Sequence, residues 1–191
     1  MSQVLKAHIN KFLPLNDEEY SAILPYLKVQ KVKKKQNLMT EGEICKQHYF
    51  VEKGCLRKFF INEKGVEQTT EFAIENWWMT DHIAYERQHA TLFNIQAVEH
   101  TEIVILDYQS QEKLFEQFSF MERYFRFVYQ RAFAATQMRI KFLFDYSKEE
   151  MYHHFIKTQG AFAQRIPQYL LASYLGLTPE YLSEIRAKRF S

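Results

Sequence analysis

From Phe120 to Phe144 the chain contains neither glycine nor proline, the residues that most readily end or break a helix. A helix over that stretch runs about 36 Å at about 1.5 Å per residue. Met121, Phe125, Val128, Ala132, Ala135 and Phe142 fall on a 4-3-4-3-7 spacing, interrupted only at Arg139. The spacing predicts a seam for a second copy of the chain, and the small pair Ala132 and Ala135 permits close helix approach. A core helix lying on a β domain is the other reading of the same residues.

What precedes that helix has a different period. Asn16 followed by Glu19 is a capping-box start for a short helix through Tyr20, Ile23 and Leu24, which Pro25 ends. From Lys28 to about Asp107 the chain is short runs of Val, Ile, Phe, Thr and Tyr, punctuated at Glu41-Gly42-Glu43, Lys53-Gly54 and Asn62-Glu63-Lys64-Gly65. Leu56 to Ile61 and Val66 to Ile74 flank the Asn62 to Gly65 turn as a hairpin. Strands return at Asn94 to Val98 and Glu102 to Leu106. Seven or eight short strands without long helices between them predict an antiparallel roll. The basic run Lys28 to Lys35 reads as a first strand with a solvated outer face.

Composition excludes several classes. No window approaches the roughly 20 apolar residues that span a bilayer. Met1 to Asn10 lacks a secretory apolar run. Two cysteines, Cys45 and Cys55, fit a reduced cytoplasmic protein and make a cysteine-held metal cluster unfavourable. The adjacent pair His153 and His154 point about 100° apart on a helix and do not share a metal. His82, His89 and Asp81 lie near one another in sequence with no activated nucleophile beside them, so the expectation is no enzyme, no catalytic residue and no bound metal.

After Phe144 the signal stays helical. Ser147 and Glu150 form a second capping box, and Gly160 is the expected end of that helix. The segment QYLLASYLGLTPEYLSEIRA, from Gln168, places Leu171, Leu175, Leu177, Leu182 and Ile185 at the apolar positions of a helix-turn-helix. Ala172 is small where the two helices cross, Gly176 suits a left-handed turn, and Thr178-Pro179 starts the second helix. A plain helical hairpin explains the leucines but not all three of the others together. Thr178, Glu180, Tyr181, Ser183, Arg186, Lys188 and Arg189 are the candidate DNA contacts. Glu180 accepts from a cytosine amino group, Ser183 serves a base edge or a phosphate, and Arg186, Lys188 and Arg189 suit phosphate. Glu184 opposes phosphate unless it pairs with its i+4 neighbour Lys188. The charge balance agrees mildly: from Arg139 onward the chain holds 8 Lys and Arg against 5 Asp and Glu.

A β-roll, a long seam-bearing helix and a terminal helix-turn-helix, in that order, make the chain resemble the Crp/Fnr family of bacterial transcription regulators over essentially its whole length. RIPQYLLASYLGLTPEYLSEIRAK is the most specific piece, and FNIQAVEHTEIVIL resembles the strands closing that family's cyclic-nucleotide-binding domain. The resemblance implies an α+β fold: a cyclic-nucleotide-binding-like jelly roll over 1–115, a dimerisation helix over 116–145 and a DNA-binding domain over 146–191. It also implies a homodimer on double-stranded DNA, with RNA polymerase as a further candidate partner.

The resemblance implies an effector pocket too, and here the residues depart from the family pattern. By register from Ile95-Gln96-Ala97, the family's Gly-Glu falls on Thr80-Asp81 and its Arg-Ser on Thr91-Leu92. Without the guanidinium and the hydroxyl, cyclic AMP is not the expected ligand and no cofactor is assigned. Arg87 and His89 are the nearest substitute cations for an altered anion. Trp77 and Trp78 read as packing between roll and long helix, in preference to a slot for a flat ligand. The competing reading is a ligand- or protein-binding signalling module of this architecture that no longer reads DNA.

Overall fold

The computed structural model describes residues 2–188. Helix α1 (Gln3–Asn10) is capped by the Ser2 hydroxyl, and α2 (Asp17–Ile23) by the reciprocal Asn16/Glu19 box. A 3-10 turn, Leu24–Tyr26, carries Pro25. Eight strands follow: β1 (Lys28–Val32), β2 (Asn37–Met39), β3 (Gln47–Lys53), β4 (Leu56–Ile61), β5 (Glu67–Ala73), β6 (Trp78–Met79), β7 (Asn94–Ala97) and β8 (Thr101–Asp107). The short α3 (His82–Arg87) lies between β6 and β7. Then come α4 (Tyr108–Gln117), α5 (Phe120–Asp145), α6 (Lys148–Ala163), α7 (Gln168–Leu175) and α8 (Pro179–Lys188). Among the described residues no helix is long and apolar enough to cross a membrane.

The strands form two four-stranded sheets, ordered β1-β8-β3-β6 and β2-β7-β4-β5, with antiparallel pairing. This is the expected β-roll. The Asn62 side chain accepts from the N–H groups of Lys64 and Val66 at 3.0 Å, and Gly65 sits at φ +75°, so the predicted hairpin turn forms. A tighter demand falls on Gly54, at φ +104°. A Cβ there would lie 2.8 Å from the His100 carbonyl oxygen and 2.6 Å from Thr101 Oγ1.

Two compact units divide the chain. The first holds the residues up to Phe60 together with Glu71–Arg131; the second holds Ile61–Thr70 with the described residues from Ala132 onward. In the first unit one apolar layer fills the roll, with Tyr49, Val51, Leu56, Met79, Ile95, Ile103 and Ile105. A second layer lies under the helices, with Leu5, Ile9, Phe50, Trp78, Val104, Leu106, Leu114 and Phe125. β8 supplies both layers by its alternation, which is why its apolar run is continuous rather than alternating with polar residues.

That second layer corrects the expected seam. Met121, Phe125 and Val128 are 3%, 1% and 9% exposed, packed in the chain's own core, so they do not face a second copy. Trp78 lies 5.1 Å from the Phe125 ring and donates to Tyr124 at 2.8 Å, so it is packing, as expected, whereas Trp77 is exposed and is not. On the outward side of α5, Gln130, Phe133, Gln137, Ile140 and Phe144 keep a 3-4-3-4 rhythm and are all exposed, Phe144 at 87%. Of the expected seam, Ala135 is exposed while Ala132 and Phe142 are half-buried, and Phe142 stacks on Tyr146 at 5.1 Å.

Two histidines, His8 and His48, are among the buried polar groups of the first unit. Tyr124 accepts from Trp78 and meets His8 Nδ1 at 2.8 Å, which assigns His8 as a neutral acceptor. His48 is fully buried among the rings of Trp78, His82, Tyr85, Phe125 and Tyr129. Neither of its ring nitrogens has a hydrogen-bond partner. Burial holds its pKa well below the usual histidine range, helped by His82 and Lys58.

In the second unit α6 runs through Gly160, the expected end, and bends instead at Gln159 (φ −130°, ψ 29°). Its start uses the predicted Ser147/Glu150 box.

Candidate functional site

The helix-turn-helix forms on α7 and α8. Leu170, Leu171, Leu175, Leu177, Leu182 and Ile185 are buried, and Ala172 is fully enclosed. Gly176 turns at φ +68°, where the Leu177 N–H reaches back to the Ala172 carbonyl at 2.9 Å. Thr178 Oγ1 accepts from the Tyr181 N–H at 3.2 Å and so caps α8.

The faces of α8 differ. Glu180, Ser183, Glu184 and Lys188 are exposed, while Tyr181 and Arg186 are half-buried. Ser183 is turned back on its own helix and donates to the Pro179 carbonyl at 2.9 Å. Lys188 pairs with Glu149, in the first turn of α6, at 3.3 Å. That corrects the expected Glu184 partnership and leaves the Glu184 carboxylate outward. Tyr181 donates to the same Glu149 oxygen at 3.3 Å. Arg189 lies outside the described residues.

Two further contacts fix α7, and no local pattern announces either. The Arg139 guanidinium lies 3.8 Å from the Tyr174 ring centre and donates to the Tyr174 carbonyl at 2.8 Å. The residue that interrupts the apolar spacing of α5 thus holds the end of α7. Ser173 Oγ donates to the Glu67 carbonyl and accepts from the Thr69 N–H, both at 2.8 Å, so a serine side chain binds the edge of β5.

The expected effector pocket is assembled only in part. Thr80, Asp81 and Thr91 come together, all buried. Asp81 caps α3, its Oδ1 accepting from the Ala84 N–H at 3.3 Å, while Oδ2 accepts from the Thr91 hydroxyl at 2.7 Å. The chain's own carboxylate thus holds an N–H group at the start of α3 and the Thr91 hydroxyl. Thr80 Oγ1 donates to the Gln47 carbonyl at 2.9 Å. Arg87, His89 and Leu92 are not part of this cluster. Arg87 is exposed beside Glu86, His89 is exposed against the Ala90 carbonyl, and Leu92 is 71% exposed.

The cation beside Thr80 is Lys58. Its side chain is 12% exposed, donates to the Thr80 carbonyl at 3.1 Å and pairs with Glu71 at 2.7 Å. Strand alternation carries the signal that locates it: Lys58 lies two residues from the interior Leu56 and shares its face. Among the described residues no group of three or more His, Cys, Asp or Glu side chains is placed to hold a metal ion.

Comparison with known proteins agrees with this fold. Residues 29–118 match the family model of the cyclic nucleotide-binding domain. No curated protein sequence matches. Among solved structures, the chain is similar to FixK2 from Bradyrhizobium japonicum at 16% identity and a TM-score of 0.73, covering 85% of this chain and 83% of that one. It is similar to a CooA mutant from Carboxydothermus hydrogenoformans at 19% identity and 0.71, covering 93% and 86%. It is also similar to the c-di-GMP responsive global regulator CLP of Xanthomonas campestris at 13% identity and 0.70, covering 91% of each chain.

Proposed function

We propose, from the match of residues 29–118 to the cyclic nucleotide-binding domain model and from the fold shared with Crp/Fnr-type regulators, that this protein is a homodimeric DNA-binding transcription regulator. The observation that carries the reading is the helix-turn-helix geometry: Ala172 enclosed at the crossing, Gly176 left-handed at the turn, and a capped α8 with its first turns exposed. Two such helices from a two-fold dimer would enter successive major grooves about one DNA turn apart. The protein would act in the cytoplasm with RNA polymerase as its protein partner, and its role is regulatory rather than catalytic.

The dimer we propose uses the outward stripe of α5. Phe133, Ile140 and Phe144 supply apolar area, and Gln130 and Gln137 are polar members of the same rhythm that set register. Ile140→Glu is expected to give a monomer by sedimentation equilibrium. Its affinity for a two-half-site duplex is expected to fall about 100-fold, because the second half-site contact is lost. A variant that remains dimeric would remove this stripe from the interface.

The sensor domain, on this reading, does not answer to cyclic AMP, because Asp81 holds the α3 N–H and the Thr91 hydroxyl. The phosphodiester charge of cyclic AMP would be repelled beside Asp81.

The deciding experiment selects genomic fragments on the purified protein. The best fragment is then titrated at two salt concentrations, with and without cyclic AMP. A palindromic site, a steep salt slope and curves indifferent to cyclic AMP are expected. Arg186→Ala should weaken binding and lower the salt slope by about 1 if Arg186 meets phosphate. Absence of any enriched fragment, also with cell extract present, would favour the signalling-module reading.

A further inference from the structure

The α8 surface is poor in positive charge for a helix assigned to a polyanion. Its described residues carry Glu180 and Glu184 against Arg186 and Lys188. One carboxylate from another helix then takes two of the groups that could reach phosphate. Glu149 Oε1 accepts from the Tyr181 hydroxyl and from the Lys188 ammonium, each at 3.3 Å. These two side chains, seven residues apart on α8, converge on one Glu149 oxygen.

The neighbouring acid shows that the arrangement is particular to Glu149. Glu150 is spent on the capping box, where it accepts from the Ser147 N–H at 2.8 Å. Glu149, in the same first turn of α6, is free of that duty and projects to α8. Its side chain is 40% exposed and that of Lys188 is 68% exposed, so solvent and a phosphate group can both compete for the ammonium.

We propose that Glu149 is an electrostatic brake on DNA binding, a residue that lowers affinity for every duplex by holding Lys188 and Tyr181 away from phosphate. The inference rests on the DNA-binding reading above and deepens it. On DNA, Lys188 and Tyr181 exchange the carboxylate for phosphate oxygens, and the abandoned Glu149 charge then faces the backbone's negative field. Both effects act on phosphate contacts, which carry no base information, so affinity falls for random and selected sequence alike. A regulator restrained in this way spends less time on the bulk of the genome, where nonspecific sites vastly outnumber operators.

The test uses the full-length protein and two duplexes, a random-sequence one and the fragment selected above, each at low and moderate salt. Glu149→Gln keeps the shape and an acceptor for Tyr181 but removes the charge. Affinity for both duplexes should rise about 5- to 10-fold at low salt, with the salt slope steeper by about 1. Adding Lys188→Gln to Glu149→Gln should cancel the gain. Glu116→Gln, an equal charge change at an exposed position on α4, should change affinity by less than about 2-fold.

If wild type binds DNA and Glu149→Gln binds equally or more weakly, Glu149 only positions α8 and the brake is overturned. A gain that survives Lys188→Gln overturns the route through Lys188. If wild type and all variants fail to bind any duplex, the DNA-binding reading fails, and the brake with it.

Discussion

Acidification from pH 7.5 to pH 5 is expected to lower the thermal midpoint of the β-roll by about 10 °C. The cause is the buried histidines. His8 is held to about 4 by burial and then by the charges of Lys11 and Arg131. His48 is held well below the usual range by burial, then by His82 and Lys58.

Each of these rings is neutral in the fold and has a pKa of about 6.5 when unfolded. The unfolded chain therefore binds more protons below that value, and stability is complete above it and lost as pH falls towards the folded pKa. A histidine that stays neutral throughout contributes a loss of about 2 kcal/mol between pH 7.5 and 5. Counting His8 and His48 in full gives about 4 kcal/mol, and at about 2–4 °C per kcal/mol that is the shift stated. Asp17, Asp107 and Glu150, whose carboxyls are lowered, lose their contribution only below about pH 4 and do not act in this window. Melting curves at constant ionic strength measure the effect, and His48→Phe should remove roughly half of it, one of the two histidines counted. A midpoint indifferent to pH, or a His48→Phe protein with the full dependence, would take the neutral histidines out of the explanation.

Gly54→Ala is expected to cost about 4 kcal/mol, again about 10 °C in midpoint. Gly54 occupies φ +104°, a backbone region that costs any other residue about 1–3 kcal/mol. The new methyl would also meet two main-chain atoms at 2.8 Å, the His100 oxygen and the Thr101 Cα, neither of which can swing aside as a side-chain tip would. Gly65→Ala provides the comparison. At φ +75° with nothing within 4 Å of its would-be Cβ, it carries only the backbone cost, about 1 kcal/mol. Equal destabilisation of the two variants would show that the contact across to Thr101 yields easily.

Local chemistry announced much of the fold. The Asn16/Glu19 and Ser147/Glu150 boxes, the Asn62 to Gly65 turn and the Ala172, Gly176, Thr178 set each depend on residues a few positions apart, and each forms as the spacing predicts. What spacing could not resolve is which of two apolar faces its own chain covers. Met121, Phe125 and Val128 repeat at heptad intervals, and so do Phe133, Ile140 and Phe144. Only the layer built by Leu5, Ile9 and Phe50 decides that the first set turns inward.

The same limit applied to charges. Arg87 and His89 are nearest to Thr91 in sequence, yet Gln88, at φ +50°, ends α3 between them and both side chains remain at the surface. Lys58 is brought beside Thr80 from another strand. Lys188 had an obvious partner four residues before it and found one 39 residues before it, because the fold brings the first turn of α6 within reach of the end of α8.

A dissolved anion fills its site only in proportion to how much of it the surroundings hold, and empties it when that amount falls. Asp81 is delivered to the α3 N–H and the Thr91 hydroxyl by the backbone itself, at a local concentration that chain connectivity sets once and metabolism cannot alter. The bonds that order the segment from Asp81 to Thr91 therefore hold alike in a starved cell and a well-fed one.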